Sequence, residues 1–431
     1  MYDAAVAAAA PGPATARAVE ALQINRDARV WLFAFGKAAY TMAGSAAGVL
    51  LRSLNSIVGG VVVGADVGPA PYPTLLAMRG DHPIPGRHSF AAAAKIGEVA
   101  AGRRSSDVAV VLISGGTTSL IGAPLRGMSE ANFTELYELV LGAGLDIVAM
   151  NAVRKRFSRW SAGRLAQALA PAATYCFAIS DVPSDNLSVI GSGPCVADAT
   201  TVQDVRNILD RARLAARIPQ PFRDHLAAVA RGTIPETLRA AHPAFAHVTA
   251  RVIGNIQLAL NGAAARARAR YPQARIEVSA TRLSGPASLA GEAIAGELLA
   301  ARQSRANGNA PTCMIWGGET TVALQGNEAT TDGGRCQELA LAVARLLSEA
   351  GDNGSNITLL AAGTDGRDGA TDAAGAVVDA TTWERIAGAN GSPGAALAAH
   401  ASHRALRLAD SLIPRRDTGT NVTDIVIGLV A

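Results

Sequence analysis

Ten consecutive residues, Gly363-Thr364-Asp365-Gly366-Arg367-Asp368-Gly369-Ala370-Thr371-Asp372, hold three aspartates, three glycines and two threonines. They directly follow the apolar run Ile357–Ala361. Carboxylates and hydroxyls at a strand end suit a ligand-proximal role. Mg²⁺ is one candidate, since it takes oxygen donors and keeps several waters. An EF-hand calcium loop is excluded, because no Glu stands at the last ligand position and no amphipathic helix pair flanks the segment. A second acidic pair occurs in Ser180-Asp181-Val182-Pro183-Ser184-Asp185, again after an apolar run. We take Asp181, Asp185 and Asp365 as candidate metal ligands; the alternative for the first two is an Asx-turn pair closing a loop.

Two cations stand where a helix dipole disfavours them. Lys37 follows Gly36 between an expected strand and an expected helix, in the first helical turn. Arg335 follows Gly333-Gly334 at the start of another helix. A cation at a helix start opposes the macrodipole unless an anion faces it, so both are candidates to hold a phosphate or carboxylate. The alternatives are a solvated Lys37 and an Arg335 paired with Glu338 or Asp332. The segment Ser114-Gly115-Gly116-Thr117-Thr118-Ser119 offers two glycines for close backbone approach and hydroxyls that can donate to phosphate oxygens. It is neither a Walker A loop nor GxGxxG, and it could also be an ordinary tight turn. Gly191-Ser192-Gly193-Pro194 reads as another close-approach loop.

Strands alternating with helices must position these groups. Apolar runs occur at Val30–Phe35, Val61–Val63, Val108–Ile113 and Tyr175–Ile179, then at Val252-Ile253, Met314–Trp316, Ile357–Ala361 and Ile425–Val430. They are continuous rather than alternating, which indicates strands buried on both faces and mostly parallel sheets. Helical spacing appears at Ala38–Leu51, Glu130–Gly142, Met150–Leu169, Val202–Leu214 and Cys336–Ala350. The order is that of an α/β protein, in which ligands bind beyond the carboxyl ends of strands. Pro-containing chain near 232–249 predicts a boundary between domains at 1–240 and 250–431. Arg302–Pro311 and Gln325–Gly334 read as soft or loop segments.

Composition narrows the class. The 431 residues carry a net charge of +4 and only 4% aromatics. The densest basic stretch, Arg154-Lys155-Arg156 with Arg159 and Arg164, lacks an aromatic platform beyond Phe157 and Trp160. Nucleic-acid binding is therefore not expected, whereas a mild positive field suits anionic small molecules. Cys176, Cys195, Cys313 and Cys336 form no CxxC motif and the histidines no HxxxH pair, which argues against zinc. With no basic leader and no membrane-length apolar run, the expected location is cytoplasmic, without a membrane partner. A homo-oligomer is compatible with all of this.

In their order along residues 5 to 431, these segments resemble the glycerate 2-kinase family, also known as the MOFRL family and historically labelled hydroxypyruvate reductase. The resemblance runs through Gly36-Lys37-Ala38-Ala39, His82-Pro83-Ile84-Pro85, Ile113-Ser114-Gly115-Gly116 and Asn151-Ala152-Val153-Arg154-Lys155. It continues through Ser180-Asp181-Val182 and Gly191-Ser192-Gly193-Pro194 to Gly317-Gly318-Glu319-Thr320-Thr321. Gly333-Gly334-Arg335, Thr364-Asp365-Gly366 and Thr420-Asn421-Val422 complete it.

The resemblance implies an N-terminal Rossmann-like parallel-sheet domain, a smaller α/β C-terminal domain and an active site in the cleft between them. It implies ATP and Mg²⁺, with Lys37 and Arg335 as the key cations. Candidate nucleotide or phosphate contacts are Ser114, Gly115, Gly116, Gly193, Gly317, Gly318 and Glu319; candidate substrate contacts are Arg154 and Asn255. The reaction implied is ATP-dependent phosphorylation of a small hydroxy acid, D-glycerate to 2-phosphoglycerate. This chain departs from the family at Ser161-Ala162-Gly163 (usually Lys-Gly-Gly), Thr117 (Gly), Gly86-Arg87 (Asp-Glu) and Arg416-Asp417 (Gly-Pro). The competing readings are a hydroxypyruvate reductase, disfavoured by the missing GxGxxG fingerprint, and a catalytically weak paralogue that binds a nucleotide or acid.

Overall fold

The computed structural model describes residues 1–304, 310–322 and 332–431. Parts of the two soft segments, residues 305–309 and 323–331, lie outside the described residues. The chain forms two compact units, one of Pro11–Ile253 and one of Met1–Ala10 with Gly254–Ala431. The division differs from the expected 1–240 and 250–431. The chain after the Pro-containing region becomes a strand of the first unit's sheet, and the first ten residues pack with the second unit. The Tyr2 hydroxyl donates to the Gly363 carbonyl at 2.7 Å. The helix Tyr2–Ala8 lies close along Ile256–Arg270, where a Cβ on Gly262 would stand 2.4 Å from that of Ala8.

The first unit is built on β1 (Arg29–Phe35), β2 (Ser56–Gly64), β3 (Leu75–Arg79), β4 (Asp107–Ile113), β5 (Ala173–Ile179) and β6 (Val248–Gly254). Their order is β3-β2-β1-β4-β5-β6, and β1 pairs in parallel with both β2 and β4. Val61, Val63, Val111 and Phe33 are fully buried here, each such side chain contributing about 1.5–3 kcal/mol. This is the doubly wound arrangement, and its strand order reverses between β1 and β4. Ligands in such sheets bind outside the carboxyl ends of strands at that switch point, where Gly36-Lys37 and Ser114-Gly115-Gly116 emerge.

The second unit contains β7 (Arg275–Val278), β8 (Thr312–Gly318), β9 (Ile357–Gly363), β10 (Ala373–Asp379), β11 (Leu412–Pro414) and β12 (Asp424–Val430). Their order is β11-β10-β9-β12-β8-β7. Among the described strands of this unit only β7 and β8 run parallel; β12 is antiparallel to both β8 and β9, and β10 to β9 and β11. The continuous apolar run of β12 suggested a parallel strand, but that pattern reports burial on two faces, not direction. The reversal has a local consequence. Asp424, the first residue of β12, is in register with Gly318 and Gly363, the last residues of β8 and β9. An acid thus sits between two strand ends.

One expected helix is broken. Met150–Leu169 appears as Ile147–Phe157 and Arg164–Leu169. Between them the chain takes positive φ at Ala162 and Gly163 and docks on the Gly191–Pro194 loop, with Ala162 N–H to Ser192 O at 2.9 Å and Gly163 N–H to Gly193 O at 2.8 Å. Strands β3, β7, β10 and β11 had no signal, being short or, in β10, dominated by Ala and Gly.

Candidate active site

At the switch point the loops after β1 and β4 interlock. Gly36 has φ +117° and lies against Ser114, where a Cβ would come within 2.2 Å of the hydroxyl. Lys37 N–H donates to Gly115 O at 2.9 Å and Ala38 N–H to Ser114 Oγ at 3.0 Å. The helix begins only at Ala39, so Lys37 lies in the turn before it rather than in its first turn, and its side chain is exposed. The Ser114 hydroxyl, expected to face phosphate, is buried on Phe35 O and Ala38 N–H. Thr117 Oγ1 likewise hydrogen-bonds Phe35 O at 2.9 Å. What the loop presents instead is backbone: among the described residues the N–H groups of Gly115 and Gly116 have no acceptor.

Both glycines make room for side chains. A Cβ on Gly115 would stand 2.3 Å from Asp181 Oδ2, and one on Gly116 would stand 3.2 Å from the His82 ring. Burial pushes the Asp181 carboxyl above its ordinary value, and Lys37 partly pulls it back. Although part of His82 is exposed, burial of its ring, then Lys37 and Arg154, hold its pKa below the usual histidine value. Lys37, Asp181, His82 and Arg154 therefore share one field.

Arg154 comes from the helix Ile147–Phe157, capped by Asp146 Oδ1 on Ala149 N–H at 2.8 Å. The basic run around it is mostly consumed internally. Lys155 pairs with buried Asp198 at 2.7 Å, Arg156 with Glu236, and Arg164 binds four carbonyls including Lys155 O at 2.9 Å. Arg154 is 6% exposed, lies over the Tyr137 ring at 4.7 Å, and has no partner for Nε or Nη2. Beside it on the helix, the Asn151 carbonyl oxygen is also unpartnered, while its Nδ2 donates to Val189 O at 3.2 Å. Buried polar groups without partners cost free energy, and burial lowers the Arg154 pKa. An anionic ligand would relieve both.

In the second unit Arg335 begins the helix Arg335–Glu349. Its partners are neither Glu338 nor Asp332. Nε and Nη2 grip Asp424 at 2.5 and 3.0 Å, and Nη1 meets Glu319 at 2.6 Å. Burial opposes the charge, but Asp424 and Glu319 outweigh it and raise the pKa. Asp424 was not among the sequence candidates, although an acid leading a continuous apolar strand was a usable signal.

The dense aspartate segment serves three separate tasks. Asp365 Oδ1 accepts Arg367 N–H at 3.0 Å. Asp368 accepts Cys336 and Gln337 N–H at 3.1 and 2.8 Å. Asp372 pairs with Arg407 at 2.8 Å. Several of the candidate glycines lie close against protein. A Cβ on Gly193 would meet Ser188 Cα at 3.1 Å, on Gly317 Ile256 Cγ1 at 2.6 Å, and on Gly318 Leu283 O at 2.4 Å. Asn255, proposed for substrate, caps its helix by accepting Leu258 N–H at 3.2 Å. Asp181 and Asp185 belong to the first unit and Asp365 to the second, with Asp185 at φ +51°. Among the described residues no group of three His, Cys, Asp or Glu side chains could hold a metal ion. Ser161 is 3% exposed, so the lysine usual at that position would be enclosed here.

Asp368 makes folding pH-dependent. Burial and then Asp424 raise its pKa from 3.8 to about 6, against the pull of the two N–H groups. A raised folded-state pKa adds stability below the unfolded value and loses it as pH rises through the folded one. Wild-type stability should therefore fall by about 2 kcal/mol relative to Asp368→Asn between pH 4 and pH 6.5, the greater part of the full shift at ~1.4 kcal/mol per pKa unit. Urea denaturation of both proteins at the two pH values measures this; parallel pH dependence would refute it.

Comparison with known proteins agrees with this architecture. Residues 1–227 match a domain family described only as of unknown function, and residues 312–424 match the MOFRL family. The D-glycerate 2-kinase of Thermotoga maritima is 33% identical over 95% of this chain and 92% of its own. The glycerate 2-kinase of Pyrococcus horikoshii is 31% identical over 96% and 90%. A crystal structure of glycerate kinase from Thermotoga maritima superposes with a TM-score of 0.85 at 32% identity, covering 99% of this chain and 97% of that one. No described helix is long and apolar enough to cross a membrane. Matched over nearly its whole length in sequence and in fold, the chain belongs to the MOFRL glycerate 2-kinase family.

Proposed function

We propose that this protein transfers the γ-phosphate of ATP to a hydroxyl of D-glycerate, giving 2-phosphoglycerate. The observation that carries the reading is Arg154, a buried cation with two unpartnered donors in the same field as Lys37. A small carboxylate satisfies it and leaves the acid's hydroxyl near the switch-point loops. Phosphoryl transfer requires positioning and charge neutralisation more than covalent catalysis. Gly115 and Gly116 N–H donate to phosphate oxygens, and Lys37 neutralises the charge that develops there. We assign receipt of the hydroxyl proton to His82, whose pKa lies below the usual histidine value, or to Asp181.

Mg²⁺ fits the donors present. One or two carboxylates beside bound phosphates suffice for it, and Asp181 is a carboxylate short of compensating charge. Bound with the nucleotide, the ion supplies neutralisation of phosphate oxygens.

The test is ADP release with ATP, Mg²⁺ and a panel of small hydroxy acids, with the product's phosphate located by phosphorus NMR. No ADP above background with D-glycerate, or NADH oxidation with hydroxypyruvate, would overturn the reading. Arg154→Met is expected to raise the KM for D-glycerate by roughly 10–100-fold, the scale of a lost charge-assisted hydrogen bond, with kcat little changed. Its melting temperature should not fall, because an uncompensated buried charge is removed. An unchanged KM would remove Arg154 from the acceptor site.

A further inference from the structure

A helix start is usually capped by the residue just before it. The start at Arg335 is not: its N-cap is Gly334, with no side chain to offer. The cap arrives from the β9–β10 connection. Asp368, 3% exposed, takes Cys336 N–H on Oδ1 and Gln337 N–H on Oδ2. Gly334 allows this approach, since a Cβ there would lie 2.3–2.4 Å from the carboxylate atoms. Gln337 Nε2 returns to Asp368 Oδ2 at 2.9 Å and to Thr371 Oγ1 at 3.1 Å. Its Oε1 faces His403 Nδ1 at 2.7 Å, while His403 N–H donates to Asp332 O at 2.9 Å. With the Gln337 amide nitrogen committed to acceptors, its oxygen must accept, so His403 Nδ1 carries the proton in this contact. The backbone on both sides of Arg335 is thereby fastened.

The side chain is fastened separately. Asp424 takes Nε and Nη2, and Glu319 meets Nη1. Two buried carboxylates thus divide the task. One fixes where the arginine leaves the backbone; the other fixes the plane of its guanidinium.

We propose that Asp368 is a positioning residue for Arg335, acting through the first turn of its helix and braced by Gln337 and His403. This rests on the reading of Arg335 as a cation that acts on the transferred phosphate. Displacement of a catalytic group by about 1 Å can cost up to ~10²-fold in rate, so a loosened first turn is read in turnover.

Asp368→Asn keeps the shape but places an amide among groups that already donate. Its kcat per folded protein is expected to fall about tenfold, with both KM values within about twofold. The deciding measurement is a double-mutant cycle. In Arg335→Lys and Arg335→Ala backgrounds the same substitution should cost less than about twofold. A purely structural role would lower turnover equally in every background, so a full additional loss in Arg335→Ala overturns the proposal. Unchanged kcat in Asp368→Asn alone also overturns it. If Arg335→Ala itself turns over like wild type, the reading of Arg335 fails first and visibly, and the proposal falls with it. Gln337→Met removes only the side-chain brace and serves if Asp368→Asn does not fold; a smaller loss with the same cancellation is expected.

Discussion

Lys37→Ala is expected to lower kcat by roughly 10²–10³, the scale of losing one transition-state donor, while the fold survives. The fold survives because the structural contact of Lys37 is its backbone N–H to Gly115 O, which alanine keeps, and the side chain itself is exposed. The ammonium acts instead on its neighbours. It favours the ionised form of Asp181 and disfavours protonation of His82. Without it both pKa values move up: the carboxylate loses an attractive charge and the imidazolium a repulsive one. The acid limb of residual activity should therefore shift to higher pH. Lys37→Arg keeps the charge with another geometry and should recover only part of the loss. Near-wild-type turnover in Lys37→Ala, or a residual pH profile superposing on that of wild type, would sink the assignment.

Arg335→Ala is expected to lower kcat by a comparable roughly 10²–10³, with a smaller effect on ATP binding measured without acceptor. This variant also loses stability, because Asp424, with its side chain 5% exposed, is left without its main partner. Breaking a fully buried pair costs about 3–5 kcal/mol. The cost here should be smaller, since the Arg335 side chain is 35% exposed. Turnover and stability can be separated. Adding Asp424→Asn to Arg335→Ala removes the stranded carboxyl group and should recover much of the melting temperature without recovering kcat. Arg335→Lys keeps a charge but cannot hold Asp424 with two parallel bonds, so it should rescue in part. Calorimetric ATP affinity beside steady-state kinetics decides the role. A variant that loses ATP binding but keeps kcat at saturation would make Arg335 a ground-state nucleotide ligand.

The strands and helices that carry the site were legible because their causes are local. A strand buried on both faces needs a continuous apolar run, as in Val30–Phe35 and Val108–Ile113. A cation at a helix start stands out against the dipole, and Arg335 does begin its helix. The ordered motifs placed the chain in its family. Even so, local pattern overstated some roles. Ser114 looked like a phosphate donor, yet it holds its own backbone. The aspartates of Gly363–Asp372 looked like one ligand cluster, yet they serve a turn, a helix cap and a surface ion pair.

Only the tertiary structure decided which groups meet. Strand order brought β1 beside β4 although two strands intervene in sequence. The reversed direction of β12 delivered Asp424 to the ends of β8 and β9, and burial without a partner singled Arg154 out of its basic run. The reason is physical. The hydrophobic period records how deeply an element is buried, whereas neighbour, direction and ion partner are set by contacts between residues far apart in the chain, which no local pattern encodes.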